Sequence, residues 1–168
     1  MSDLTLVVCG APLATRADDI ATALGSSGWV VTQIFTSAAT SWLGSTTRES
    51  TFRHPDEPKS RRPDGVVVCP MTFNTANKWA SGVADTPALS LLCEALGAAK
   101  PIIAVPFVNE SLWGHPAWAK SLARLQDAGV RLVDPANGSQ VARPLTSGTG
   151  QSVAEGFDPS WVIAALQR

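Results

Sequence analysis

The sequence predicts an α/β fold: one doubly wound domain whose parallel sheet of about five to six strands is covered by helices on both faces. Short apolar runs alternate with segments of helical periodicity, as in successive strand–helix–strand units. Two of the runs, Val66–Cys69 and Ile102–Val105, are apolar at every position, which is typical of parallel strands buried on both faces. No repeat or linker divides residues 1–168, so we expect a single domain.

The first strand–helix–strand unit is the clearest. Leu4–Cys9 is a short apolar strand, and a turn at residues 10–12 follows it. Thr15 and Asp18 have the spacing of a capping box, which predicts a helix that starts near Thr15. Trp29–Phe35 is the second strand, and Thr36 opens a further short helix. These elements are typical of the start of a parallel sheet.

The rest of the chain continues the alternation after an irregular, proline-rich segment over residues 44–64. The predicted later elements are strands over 66–69, 102–105 and 130–133 and helices over 87–96, 116–128 and 158–166. The segment 136–157 is rich in Gly, Ser and Thr, and we expect it to be mobile.

Composition excludes several classes of function. The formal net charge is −1 and no stripe of Lys and Arg is present, so we expect no nucleic-acid partner. No apolar run approaches the ~20 residues that cross a bilayer, so we expect no membrane partner. The first ten residues lack the basic and apolar regions of a signal peptide, so we expect a cytoplasmic protein. The cysteines Cys9, Cys69 and Cys93 lie scattered in apolar runs without a CxxC pair, which predicts core packing and no metal site.

Polar residues follow two of the predicted strands directly. Pro70 ends one strand and Pro106 ends another, because proline lacks the N–H that a sheet ladder needs. Asn74 and Asn109 lie a few residues beyond these prolines. Open α/β sheets bind ligands at the carboxyl ends of their strands, so this edge is the predicted ligand site.

The glycine pattern after the first strand limits the kind of ligand. Only Gly10 is present, so the GxGxxG fingerprint of a dinucleotide site is missing. A mononucleotide is compatible with the sequence, since the helix starts near Thr15 and at Thr36–Ser37 can each offer N–H groups to one phosphate.

Three motifs in order give the chain a family resemblance. They are PMTFNT at Pro70–Thr75, GVADT at Gly82–Thr86 and PFVNESLW at Pro106–Trp113. The sequence resembles the flavoprotein family of homo-oligomeric flavin-containing cysteine decarboxylases, whose motifs are PASANT, GxxDN and PxMNxxMW. That family includes phosphopantothenoylcysteine decarboxylases and peptidyl-cysteine decarboxylases of lantibiotic-type biosynthesis.

The resemblance implies a flavodoxin-like or Rossmann-like domain that binds FMN near the interface of a homotrimer, some members assembling further into dodecamers. Transferred position by position, it implies that the flavin contacts Gly10, Ala11, Thr36, Ser37, Pro70, Thr72, Phe73, Asn74, Thr75 and Phe107.

The resemblance also implies a reaction. In the family, the flavin oxidises a cysteine side chain to a thioaldehyde, and the neighbouring carboxylate leaves as CO₂ to give an ene-thiol. An asparagine that corresponds to Asn109 holds the carboxylate, and a histidine assists. His54 is the candidate for that histidine, although Pro55 follows it where the family continues a helix. The implied substrate is a small molecule or peptide with a terminal cysteine-like group.

Two departures from the family pattern keep alternatives open. The flap motif is matched loosely by Leu145–Gly150, with Ser147 where phosphopantothenoylcysteine decarboxylases have a cysteine that returns electrons. This argues against coenzyme A synthesis and favours an enzyme that stops at the ene-thiol. Met71 and Phe73 are bulkier than the family's alanines, and Phe73 can stack near the flavin, reshape the pocket or serve core or interface packing. The alternatives are an FMN flavoprotein with another redox role and a catalytically inactive, oligomeric regulatory homologue.

Overall fold

The computed structural model describes residues 1–44, 50–56 and 61–167. Within them, five parallel strands form one sheet in the order β2-β1-β3-β4-β5, which confirms the predicted α/β fold. The strands are β1 (Ser2–Val8), β2 (Trp29–Phe35), β3 (Gly65–Met71), β4 (Ile102–Pro106) and β5 (Val130–Leu132).

Helices connect these strands and cover both faces of the sheet. They are α1 (Ala17–Ser26), α2 (Ser37–Leu43), α3 (Phe73–Ala80), α4 (Pro87–Gly97), α5 (Glu110–Trp113), α6 (Pro116–Asp127), α7 (Gly150–Gly156) and α8 (Ser160–Leu166). Buried residues of α1, α2, α7 and α8 pack on one face, and those of α3, α4 and α6 pack on the other. The central strands are therefore apolar at successive positions because each face has its own core.

The first helix begins differently from the prediction. A 3₁₀ helix, Pro12–Arg16, precedes α1, and Pro12 stands at its first position. The hydroxyl of Thr15 donates a 2.9 Å hydrogen bond to the carbonyl of Pro12, so Thr15 lies inside this turn and does not cap α1. The predicted capping box is wrong because the fixed φ of proline suits it to start a helix earlier in the chain.

The predicted strand ends at Pro70 and Pro106 are also wrong. Strand β3 continues through Pro70 to Met71, and β4 includes Pro106, which pairs with Met71 after a register shift beyond Val68. The peptide bond between Cys69 and Pro70 is cis. The carbonyl of Pro70 accepts a 3.2 Å hydrogen bond from the N–H of Cys9. A proline lacks only the donor, so its acceptor still joins the sheet.

The segment 136–157, predicted to be a mobile flap, contains α7 and several fixed points. The N–H of Leu145 donates to the carbonyl of Val108 at 2.9 Å, and the carbonyl of Leu145 accepts from the N–H of Glu110 at 3.1 Å. The Arg16 guanidinium donates to the carbonyl of Ala154 at 3.0 Å. Both ends of residues 146–149 are thus attached to the domain, and movement of the segment stays a prediction.

The predicted irregular segment over residues 44–64 is described only in part, since residues 45–49 and 57–60 lie outside the described ranges. Among the described residues, no helix combines the length and the apolar character required to cross a membrane. The same residues contain no group of three or more His, Cys, Asp or Glu side chains that could hold a metal ion.

Candidate functional site

Two adjoining cavities lie at the carboxyl edge of the sheet. The larger has a volume of about 670 Å³ and the smaller about 330 Å³, and both are bounded by Gly10, Thr72 and Asn74. The larger cavity is further lined by Ala11, Pro12, Trp42, Phe73, Phe107, Asn109, Leu112, Leu145, Thr146, Ser147, Gly148, Gly150 and Gln151. The smaller cavity is further lined by Phe35, Thr36, Ser37, Ala38, Ser50, Thr75, Lys78, Thr86, Pro87, Ala88 and Leu89.

Hydroxyl groups order the wall that the two cavities share. Thr72 is the N-cap of α3, and its Oγ1 accepts a 3.4 Å hydrogen bond from the N–H of Thr75. The same hydroxyl donates to Thr75 Oγ1 at 3.2 Å, and the Cys9 thiol also donates to Thr75 Oγ1 at 3.4 Å. Burial raises the pKa of the Cys9 thiol, so Cys9 stays protonated and acts as a donor. The hydrogen bonds fix the backbone of this wall.

Asn109 lies on the opposite wall, where β4 leads into α5. Its Oδ1 accepts a 3.0 Å hydrogen bond from the N–H of Leu112, so it is the N-cap of α5. Asn109 also forms a parallel β-bridge with Leu145 of the flap segment. A backbone N–H requires an oxygen as its acceptor, which assigns the amide orientation and leaves the Nδ2 protons for a ligand.

Helix α2 packs closely against Gly10, which follows β1. A Cβ placed on Gly10 would lie 2.6 Å from the carbonyl carbon and from the Cβ of Ala38, so only glycine permits this approach. Ser37 and Thr36 border the smaller cavity at the start of α2. The buried Thr36 Oγ1 has no hydrogen-bond partner within the described part of the chain. Such an atom is suited to a polar ligand that enters the cavity.

Aromatic rings support the larger cavity from behind. Phe73 stacks on Trp118 with ring centroids 5.8 Å apart and meets His115 edge to face at 5.5 Å. Phe107 is 9% exposed and lies beside Gly150, where an added Cβ would be 3.5 Å from Phe107 Cε1. Phe73 thus borders the cavity, whereas Met71 is fully buried in the core and does not border it.

Ten of the twelve site residues predicted from the sequence border the two cavities, and Pro70 and His54 do not. Pro70 is buried within β3, directly before the Thr72 turn. His54 has a side chain that is 68% exposed, and its Nδ1 lies 3.3 Å from Asp56 Oδ2. The described segment 50–56 therefore holds His54 outside both cavities, while Ser50 borders the smaller one.

Sequence reasoning missed several residues of the site, among them Trp42 at the end of α2, Lys78 on α3 and Gln151 on α7. Trp42 is 43% exposed, but this exposure is visible only in the structure. No local pattern identifies Lys78 or Gln151, because their positions depend on how α3 and α7 pack.

A sequence model described as Flavoprotein matches residues 2–155. The chain belongs to the flavoprotein family. This confirms the family resemblance that the three motifs indicate.

This chain matches only part of the length of each of three curated relatives. The sequence is 35% identical over 72 residues to the coenzyme A biosynthesis bifunctional protein CoaBC of Thermococcus kodakarensis, covering 43% of this chain and 18% of that protein. It is 31% identical over 72 residues to a phosphopantothenoylcysteine decarboxylase of Arabidopsis thaliana, covering 43% and 34%. The CoaBC protein of Bacillus subtilis is 26% identical over 151 residues, covering 81% and 36%. The matched parts thus span about a third or less of these relatives.

Solved structures show the same fold over almost the whole chain. The FMN-binding protein AtHal3 superposes with a TM-score of 0.73 at 18% identity, covering 99% of this chain and 95% of that one. The peptidyl-cysteine decarboxylase EpiD gives a TM-score of 0.68 at 15% identity, covering 99% and 98%. These similarities confirm the flavodoxin-like arrangement of the sheet and its helices.

Proposed function

We propose that this flavoprotein binds FMN in the two adjoining cavities and decarboxylates a cysteine-type carboxylate oxidatively to an ene-thiol. The observation that carries the proposal is the meeting of three separate elements on the larger cavity: the Thr72–Asn74 turn, Asn109 and the flap segment 145–151. Family membership and relatives named as phosphopantothenoylcysteine decarboxylases support it.

The residues present fit a flavin mononucleotide. A cavity of about 670 Å³ is within the usual size of cofactor sites, and its walls combine apolar rings with hydroxyl and amide groups. The unpartnered Thr36 Oγ1 and the adjacent Ser37 offer polar groups at the smaller cavity. We propose that Gly10, Ala11, Thr36 and Ser37 hold the phosphate end. The ring end would be held by Thr72, Phe73, Asn74, Thr75 and Phe107, while Pro70, which the resemblance also implies, lies behind this wall in β3.

Asn109 is suited to orient the substrate carboxylate. With Oδ1 held by the N–H of Leu112 at 3.0 Å, the free Nδ2 protons can donate to a carboxylate oxygen. A neutral amide binds the anion without cancelling the charge that leaves as CO₂. When bound, the flavin would accept the two electrons withdrawn from the cysteine side chain. The carbon–carboxylate bond then breaks, and its electron pair forms the double bond of the ene-thiol.

Following the family resemblance, we propose that His54 is the histidine that assists the reaction, as a base that transfers a proton. The described segment 50–56 places it outside the cavities, so this role rests on the family pattern and needs its own test. Ser147 borders the cavity where some relatives have a cysteine, which supports the ene-thiol as the final product. A homotrimeric or dodecameric assembly and a cytoplasmic location stay predictions.

Two measurements test the proposed function. The purified protein should be yellow, and FMN should be released from it in near-stoichiometric amount. Incubation with cysteine-terminated peptides and with phosphopantothenoylcysteine should then remove the mass of CO₂ and two hydrogens from an accepted substrate. Matched peptides with an amidated C-terminus are the control, since they carry no carboxylate to lose.

Each negative outcome identifies an alternative. A flavin-loaded protein that converts none of these substrates would contradict the decarboxylase proposal and favour another redox role. A colourless protein that takes up no added FMN would contradict both the decarboxylase proposal and the alternative redox role. It would favour a catalytically inactive homologue.

A further inference from the structure

Among the described residues, one side chain carries all the charge on the walls of the two cavities. Every described residue that borders the larger cavity is neutral, and Lys78 is the sole charged residue among those that border the smaller one. Lys78 lies on α3 and borders the same cavity as Thr36 and Ser37 at the start of α2. An anion in these cavities therefore has one fixed cation nearby among the described lining residues.

Asp85 holds the Lys78 ammonium in place. Its Oδ2 accepts a 2.9 Å hydrogen bond from Lys78 Nζ, and this bond lowers the pKa of the Asp85 carboxyl. The side chains are 37% and 51% exposed, so the pair is not sealed from ligands. An ammonium group has three N–H donors and Asp85 engages one of them, which leaves donors for an anionic ligand.

We propose that Lys78 compensates the negative charge of the FMN phosphate, with Asp85 as the residue that positions its ammonium group. This inference rests on the proposed function. A phosphate monoester carries a charge of about −1.5 to −2 at neutral pH. Hydroxyl groups alone satisfy its hydrogen bonds but not its charge, and burying an uncompensated anion is unfavourable. Lys78 supplies the missing charge as a hydrogen-bonding cation.

Comparing FMN with riboflavin isolates the phosphate, because the two flavins differ only by that group. Flavin-free protein, checked to be folded by thermal unfolding, is titrated with each flavin while its fluorescence is followed. Lys78→Met should weaken FMN binding by roughly ten- to a hundredfold, the range of a charge-assisted hydrogen bond, and leave riboflavin binding unchanged. Lys78→Arg should keep most of the preference for FMN, since it retains the charge.

Lys100→Met is a matched control. Lys100 is 33% exposed and lies 4.0 Å from Asp64 Oδ1, so this variant also removes a half-buried, ion-paired lysine, but one that borders neither cavity. Its affinity for both flavins should equal that of the parent.

The other outcomes overturn the inference. If Lys78→Met leaves the ratio of FMN to riboflavin affinity unchanged, Lys78 does not serve the phosphate. A raised KM for the substrate peptide with that ratio unchanged would assign Lys78 to the substrate carboxylate instead. A parent protein that binds neither flavin would overturn the proposed function together with this inference, which distinguishes that failure from the first two.

Discussion

The side chain of Asn109 caps the helix that starts beside it: its Oδ1 accepts a 3.0 Å hydrogen bond from the N–H of Leu112. One amide thus has two separable tasks. Its oxygen stabilises the first turn of α5, and its Nδ2 protons are left for a ligand in the larger cavity.

Asn109→Asp separates the two tasks. Aspartate caps a helix as well as asparagine does, so the free energy of unfolding should change by less than about 0.5 kcal/mol. Decarboxylation of a cysteine-terminated peptide should be lost, because a second carboxylate repels the substrate carboxylate and offers no donor. Asn109→Ala should lose activity and also about 1 kcal/mol of stability through the missing cap. Urea unfolding and mass spectrometry measure both effects, and an active Asp variant would contradict the assigned role.

Gly10→Ala should be destabilising, because the new Cβ would lie 2.6 Å from backbone atoms of Ala38. Overpacking of this kind costs about 1–3 kcal/mol. Displacement of α2 should also loosen the smaller cavity and weaken FMN retention. Gly97→Ala is the matched control: its Cβ meets nothing within 4 Å, and it should raise stability by up to about 1 kcal/mol. Equal melting temperatures for the two variants would contradict the close approach of Gly10 to Ala38.

His54→Ala should abolish CO₂ release if His54 transfers the proton. Its side chain is 68% exposed, so the melting temperature should stay unchanged. His115→Ala is the comparison, since His115 Nδ1 accepts a 3.1 Å hydrogen bond from the N–H of Ala117 and caps α6. That variant should lose about 1 kcal/mol of stability and keep measurable turnover. Parent-like turnover in His54→Ala would remove His54 from the reaction.

Acid should weaken the start of α8 through Asp158. Hydrogen bonds from Ser160, including one of 2.9 Å from its N–H, lower the pKa of the Asp158 carboxyl. A carboxyl with a lower pKa in the folded state stabilises the fold above its unfolded pKa, and this stabilisation is lost as the pH falls through the folded-state value.

The melting-temperature difference between the parent and Asp158→Ala should therefore be present near pH 7 and shrink below about pH 4, the unfolded pKa of aspartate. Asp158→Asn keeps an acceptor that does not titrate, so its difference from the Ala variant should stay constant with pH. A difference between the parent and the Ala variant that persists in acid would exclude the carboxylate as its source.

Much of the fold follows from local patterns. Val66–Cys69 and Ile102–Val105 have no polar position, and only strands covered on both faces bury such runs. The edge where the site lies follows as well, since polar residues come directly after those strands. The predicted ends of these strands are wrong, because the carbonyl of Pro70 still accepts a sheet hydrogen bond and Pro106 still pairs in register with Met71, although neither proline has an N–H donor.

Local sequence patterns are sufficient to predict the parallel sheet, the candidate site's edge and the family, because each of these depends on residues close together in the chain. Packing of the folded chain completes the candidate site. It brings the flap residues 145–151 to Asn109, Trp42 to the larger cavity and Lys78 to the smaller one, and it leaves His54 outside both. These placements depend on packing between elements distant in sequence, which the periodicity of a single strand or helix does not encode.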